Sequence, residues 1–157
     1  MESLFDTVHS LVIPVEGDPL LLPNAAVAEI SAYQSAQKID DTPEWLAGLL
    51  EWRGIKVPLI EFERMCDEET PASFTRVAIF NSLNGNKQLP FFAIATQGIP
   101  RLVKLNNSVL TTTPGDDEEQ GPVRKSVMIN GEPARIPDLD EMEKILLGIK
   151  PLMEALN

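Results

Sequence analysis

Cysteine and histidine are nearly missing from this chain, which has one of each, Cys66 and His9, in 157 residues. A lone cysteine forms no internal disulfide, and the start of the chain shows no basic region followed by an apolar segment and a cleavage site, so a reducing cytoplasm is the expected setting. A single imidazole beside an apolar run, with no nucleophile to serve, makes no catalytic pair. Cys66 precedes Asp67, Glu68 and Glu69, whose negative charge disfavours the thiolate and makes it a poor nucleophile. Walker loops, GxSxG elbows and HExxH zinc sites are also lacking. The residues therefore predict no enzyme, no cofactor and no metal site. The acids Asp116, Asp117, Glu118 and Glu119 lack the alternating ligand spacing of a calcium loop and read as a solvated charge run.

Long apolar runs are scarce too. A stretch such as Pro90 to Ala95 falls far short of the ~20 residues that span a bilayer, so no direct membrane insertion is expected and any membrane association comes through a partner. Basic charge is in short supply, with 13 Lys and Arg against 24 Asp and Glu and a net charge of -11. Nucleic acid and anionic lipid are repelled at long range by such a surface. The deficit is uneven: Met1 to Ala78 carries 14 acids against 5 bases, and Ile79 to Asn157 carries 10 against 8. An acidic first half reads first as a well-solvated surface, and second as a means of steering a basic partner.

What is present is a succession of short apolar runs punctuated by turn residues. Ser10 to Val15 and Leu20 to Leu22 flank Asp18-Pro19 and predict a hairpin. Asn24 is placed to cap one helical turn over Ala25 to Val27. Alternation from about Ala28 to Ser35 predicts a strand, with a helix the alternative that its alanines would suit. Arg76 to Ser82 and Leu89 to Ala95 flank Asn84-Gly85-Asn86 and predict a second hairpin, Arg101 to Leu105 a further strand, and Thr111 to Gly121 a loop with almost nothing to bury. Arg124 to Ile129, Asn130-Gly131 and Glu132 to Ile136 predict a third hairpin. Asp138 then caps a helix with Leu139, Met142, Ile145 and Leu146 inward and Asp140, Glu141, Glu143 and Lys144 outward, ending or bending at Gly148 and Pro151. A chain of this length buries ~70% of its unfolded surface as one compact domain. Small β-barrels fit this pattern better than an α/β sheet.

The most informative stretch is PEWLAGLLEWRGIKVPLIEFERM, Pro43 to Met65. Apolar residues up to Leu50 and from Ile55 to Ile60 flank Arg53-Gly54, which predicts two strands and a tight turn, with one helical turn over Glu61 to Met65. Pro58 has no amide proton, so its strand is expected at an edge or bulged.

The order PxxLxGxxxxRGxxxPLIxF resembles the signature of the CheW-like coupling proteins of bacterial chemotaxis. The likeness runs from about Val8 to Leu147, through AVAEI at Ala26 to Ile30, GIPRLVKL at Gly98 to Leu105 and IPDLDEMEKIL at Ile136 to Leu146. It implies a mostly β fold of two interlocked five-stranded SH3-like barrels with a C-terminal helix. It sets residues 8–147 as a single domain of two intertwined subdomains and 148–157 as a tail. The function it implies is that of a non-catalytic adaptor. Such an adaptor binds the regulatory domain of a CheA-type histidine kinase and the cytoplasmic tip of a methyl-accepting chemoreceptor, and partners recruit it to membrane receptor arrays.

By position, the resemblance makes Val27, Glu29, Ile30, Trp52 and Arg53 candidate partner contacts. Val27, Ile30 and Trp52 are equally of core type. Arg53 has the stronger claim, because a guanidinium on a turn offers five fixed donors. Gly48, Gly54 and Pro58 set backbone shape. Glu51, Glu61 and Gln97 depart from the family's usual residues and point to a divergent member with its own kinase, similar to the ChpC or PilI kind of type IV pilus systems. The competing reading is a small-ligand β-barrel protein or enzyme. A deep closed pocket with convergent polar groups would mark it, where an adaptor would show a shallow apolar groove between two barrels.

Overall fold

The computed structural model describes residues 8–69, 73–82, 84–105, 110–112 and 122–156. Strands β1 (Val8–Ile13) and β2 (Leu20–Pro23) form the predicted first hairpin, with Ile13 opposite Leu20. A single 3-10 turn, Asn24–Ala26, follows. Asn24 does not cap it: Pro23 occupies the cap position, no side chain bonds there, and Asn24 is the first residue of the turn itself.

The next five strands build a complete sheet. These are β3 (Val27–Ala32), β4 (Leu46–Trp52), β5 (Ile55–Ile60), β6 (Arg76–Asn81) and β7 (Phe91–Thr96), in the order β3-β6-β7-β5-β4. The short helix α1 (Phe62–Met65) leaves β5 as expected. The chain then returns to the first hairpin with β8 (Arg101–Leu105), β9 (Leu110–Thr112), β10 (Val123–Ile129) and β11 (Glu132–Pro137). The resulting sheet has the order β8-β1-β2-β11-β10-β9. One sheet is thus inserted whole between two segments of the other, which is the interlocking expected. The fold class is mostly β, and the six-stranded sheet is five longer strands plus the three-residue β9. Thr111 and Thr112 belong to β9, not to a loop, and residues 113–121 of the expected loop lie outside the described residues.

Among the described residues one isolated backbone bridge joins the two edges of the five-stranded sheet. Gln37, on the segment leaving β3, exchanges both backbone hydrogen bonds with Leu49 of β4, at 2.8 and 2.9 Å. Gly48 permits this approach, since its φ is +139° and a Cβ there would run into the Gln37 carbonyl. Pro58 is not on an edge strand, because β5 lies between β7 and β4. Pairing to β7 starts only at Leu59, so Pro58 faces no partner on that side and its missing amide proton is tolerated.

Apolar side chains separate into three clusters. Leu50, Trp52, Val57, Leu59, Val77, Ile79, Ala93 and Ala95 fill the five-stranded unit. Val12, Leu21, Leu105, Val127, Ile129 and Ala134 fill the six-stranded one. The third cluster joins the sheets: Ile13, Leu20 and Leu22 from one meet Ile60, Phe80 and Phe92 from the other, under the helices α2 (Leu139–Leu147) and α3 (Lys150–Leu156).

Asp138 caps α2 as predicted, its carboxylate accepting from the Glu141 amide at 3.0 Å. Glu143 does not face outward. It is buried and accepts from Ser82 Oγ at 2.9 Å and Asn84 Nδ2 at 3.3 Å, which ties α2 to the β6–β7 loop. Residues expected as a tail contain α3, whose Leu152 is fully buried, a burial that contributes about 2 kcal/mol.

Candidate functional site

The β4–β5 turn is built from its own residues upward. Arg53 has φ +51° and Gly54 has φ +77°, and positive φ at both central positions is the signature of the two-residue type I′ hairpin. Its twist matches that of the flanking strands, which pair from Trp52 and Ile55 inward. Gly54 adopts this conformation freely, whereas Arg53 adopts it at some cost.

Arg53 Nη2 donates to Glu29 Oε1 at 2.7 Å, and the guanidinium lies 5.0 Å above the Trp52 ring. The structure therefore brings Glu29, Trp52 and Arg53 together. The Arg53 side chain is 70% exposed, so an ion pair here contributes only about 0–1 kcal/mol. Beyond that one bond the guanidinium makes no hydrogen bond among the described residues, and its remaining donors face solvent.

Trp52 proves to be a core residue whose ring lies under the Arg53 guanidinium. It packs edge-on against Phe91 at 4.9 Å inside the five-stranded unit, and its buried indole N–H meets no acceptor among the described residues. Val27 and Ile30 are half-buried against the central cluster rather than free surface residues. A register shift between Val27 and Glu29 marks a bulge in β3, which helps to aim Glu29 at the turn.

A second arginine site was not visible in the sequence. Arg135 of β11 has a side chain only 9% exposed and spends its donors fully. Nη1 donates to both oxygens of Glu68 at 2.8 and 2.9 Å, Nε and Nη2 donate to the Asp18 carbonyl, and Nη2 also reaches the Glu16 carbonyl. The Phe62 ring lies 5.2 Å from it. Beside it Glu63 is fully buried, and Glu63 Oε2 accepts the Glu16 amide at 2.9 Å. Burial pushes the Glu63 carboxyl above its ordinary range, against the opposing pull of the Glu16 and Glu63 amides and of Arg135.

The residues considered for chemistry are scattered. His9 is exposed on β1, opposite Lys104. Burial, then Glu68, pushes the Cys66 thiol up to about 12, which keeps it protonated and unreactive at neutral pH. Among the described residues no cluster of three or more His, Cys, Asp or Glu is placed to hold a metal ion, and no helix is long and apolar enough to cross a membrane. A groove of about 620 Å³ runs beside the Gln37–Leu49 bridge, lined by Gln34, Lys38, Glu51 and Lys56 and by Ala155 of α3. It is polar and open to solvent, unlike a closed ligand pocket.

Comparison with known proteins adds three findings. A family model described as the CheW-like domain matches residues 9–145. The crystal structure of the scaffolding protein TtCheW from Thermoanaerobacter tengcongensis is similar, with a TM-score of 0.69 at 16% sequence identity, covering 83% of this chain and 88% of that one. No curated protein matches the sequence.

Proposed function

The chain belongs to the CheW-like domain family, and from that premise we propose that it is a non-catalytic adaptor coupling a chemoreceptor to a CheA-type histidine kinase. The observation that carries this reading is the extent of the match, which spans both sheets and α2 instead of one motif. The partners are the regulatory domain of the kinase and the cytoplasmic tip of a methyl-accepting receptor. The pathway is chemotaxis or type IV pilus motility, and the protein acts in the cytoplasm, drawn to receptor arrays by those partners.

Two interlocked subdomains within residues 8–147 hold receptor and kinase surfaces in a fixed relation, so that receptor conformation biases kinase activity. Arg53, set on its turn by Gly54 and steadied by Glu29 and the Trp52 face, supplies donors to a partner's carboxylate or carbonyl groups. Val27 and Ile30 lend apolar edges beside it. Purified protein titrated with the regulatory domains of the kinases encoded in the same genome tests the reading. Saturable binding to at least one is expected, and failure to bind any of them would sink it.

A further inference from the structure

We propose that Arg135, Glu63 and Glu68 form a proton-sensitive latch that ties the β1–β2 turn of the six-stranded sheet to the α1 loop of the five-stranded sheet. The geometry comes from three separated segments. Glu16 to Asp18 belong to the turn, Phe62 to Glu68 to α1 and the loop after it, and Arg135 to β11. Arg135 reaches across with every donor used, to the Glu16 and Asp18 carbonyls on one side and the Glu68 carboxylate on the other. Gly17 sits against this cluster with φ +83°, where a Cβ would lie 3.4 Å from Arg135 Nη2, so the turn is shaped to the guanidinium.

Glu63 is the part that can change state. Its two oxygens are treated differently: Oε2 holds the Glu16 amide, while Oε1 is buried and meets no donor among the described residues. A proton on Oε1 removes the buried charge and leaves the bond at Oε2 intact. Losing that proton keeps the bond but places a charge where one oxygen has no donor. The charged and titratable groups around it are Arg135 from β11, Glu61 at the entry to α1 and Cys66 after it, with Glu68 bonded to the same Arg135. Arg135 favours the ionised form, and burial together with Glu61 opposes it.

The direction follows from linkage. The closed latch holds the Glu63 proton more tightly than the open one, so opening takes up none and releases it as pH rises. The turn therefore opens more often as pH climbs from a glutamate's ordinary value of 4.5 through the raised value in the closed state. The contribution of Glu63 to closure is full below that window and is lost through it.

Amide hydrogen exchange on the full chain tests this. The reporters are the amide of Glu16, which donates to Glu63, and that of Arg135, which donates to the Pro19 carbonyl. After division by the intrinsic exchange rate at each pH, the open fraction is expected to rise as pH climbs above a glutamate's ordinary 4.5, no more steeply than about tenfold per pH unit for one group. In Glu63→Gln the open fraction should be flat with pH. In Glu68→Gln it should be higher throughout but keep its slope. A flat profile in the unmodified chain, a slope that survives Glu63→Gln, or a slope abolished by Glu68→Gln would each overturn the latch. If Glu63→Gln does not fold, the carboxyl carbon shift of Glu63 in the unmodified chain decides, since a midpoint at or below the ordinary glutamate value contradicts the proposal.

Discussion

Arg53 and Arg135 are built from the same parts and used in opposite ways. Each guanidinium has one carboxylate partner and one aromatic ring beneath it, Glu29 and Trp52 for Arg53, Glu68 and Phe62 for Arg135. Arg135 is buried and adds backbone carbonyls until no donor is left. Arg53 is exposed and makes one bond. A saturated guanidinium holds the fold together, whereas one with donors to spare is available to another molecule. Charge alone does not separate the two roles, but the count of unspent donors does.

The comparison breaks first at the buried arginine. Arg135→Ala strips the partner from Glu68 and the favourable charge from Glu63, and is expected to lower stability by about 3–5 kcal/mol in urea unfolding. A loss under about 1 kcal/mol would make Arg135 no more structural than Arg53. Gly48→Ala attacks the frame that carries the Arg53 turn, because its Cβ runs into the Gln37 carbonyl and its φ is hostile to alanine. A loss of about 3 kcal/mol is expected by the same measurement, together with faster amide exchange at Gln37 and Leu49. Unchanged exchange there would show that the bridge does not depend on the glycine.

The smallest effect belongs to the exposed pair. Glu29→Gln should change stability by no more than about 0.5 kcal/mol, since solvent screens a surface ion pair. A loss comparable to that of Arg135→Ala would erase the distinction between the corners.

The sequence displayed one of these corners and hid the other. The Arg53 turn was legible because local rules specify it: apolar runs on either side, an Arg-Gly step between them, and a family pattern in register. The hairpins at Asn130-Gly131 and Asp18-Pro19 and the Asp138 cap were legible for the same reason. Arg135 was not, because its partners lie 67 to 119 residues away along the chain and its own neighbours, Ala134 and Ile136, look like any strand. Glu143 was misjudged for a related reason. Helical spacing places it beside outward residues, but the β6–β7 loop folds over that face and brings Ser82 and Asn84 to its carboxylate. The missing amide proton of Pro58 suggests an edge strand or a bulge. Strand β5 starts with β4 as its one neighbour and gains β7 at Leu59. In each case the missing information was which distant segment arrives, and that is set by topology.

The claim that Arg53 is free for a partner is tested most directly by the affinity of Arg53→Ala for the kinase regulatory domain and for the receptor tip, measured by calorimetry beside the unmodified chain. The account predicts a loss of about 1–3 kcal/mol toward one partner with the unfolding midpoint unchanged. Equal affinity for both partners would contradict it.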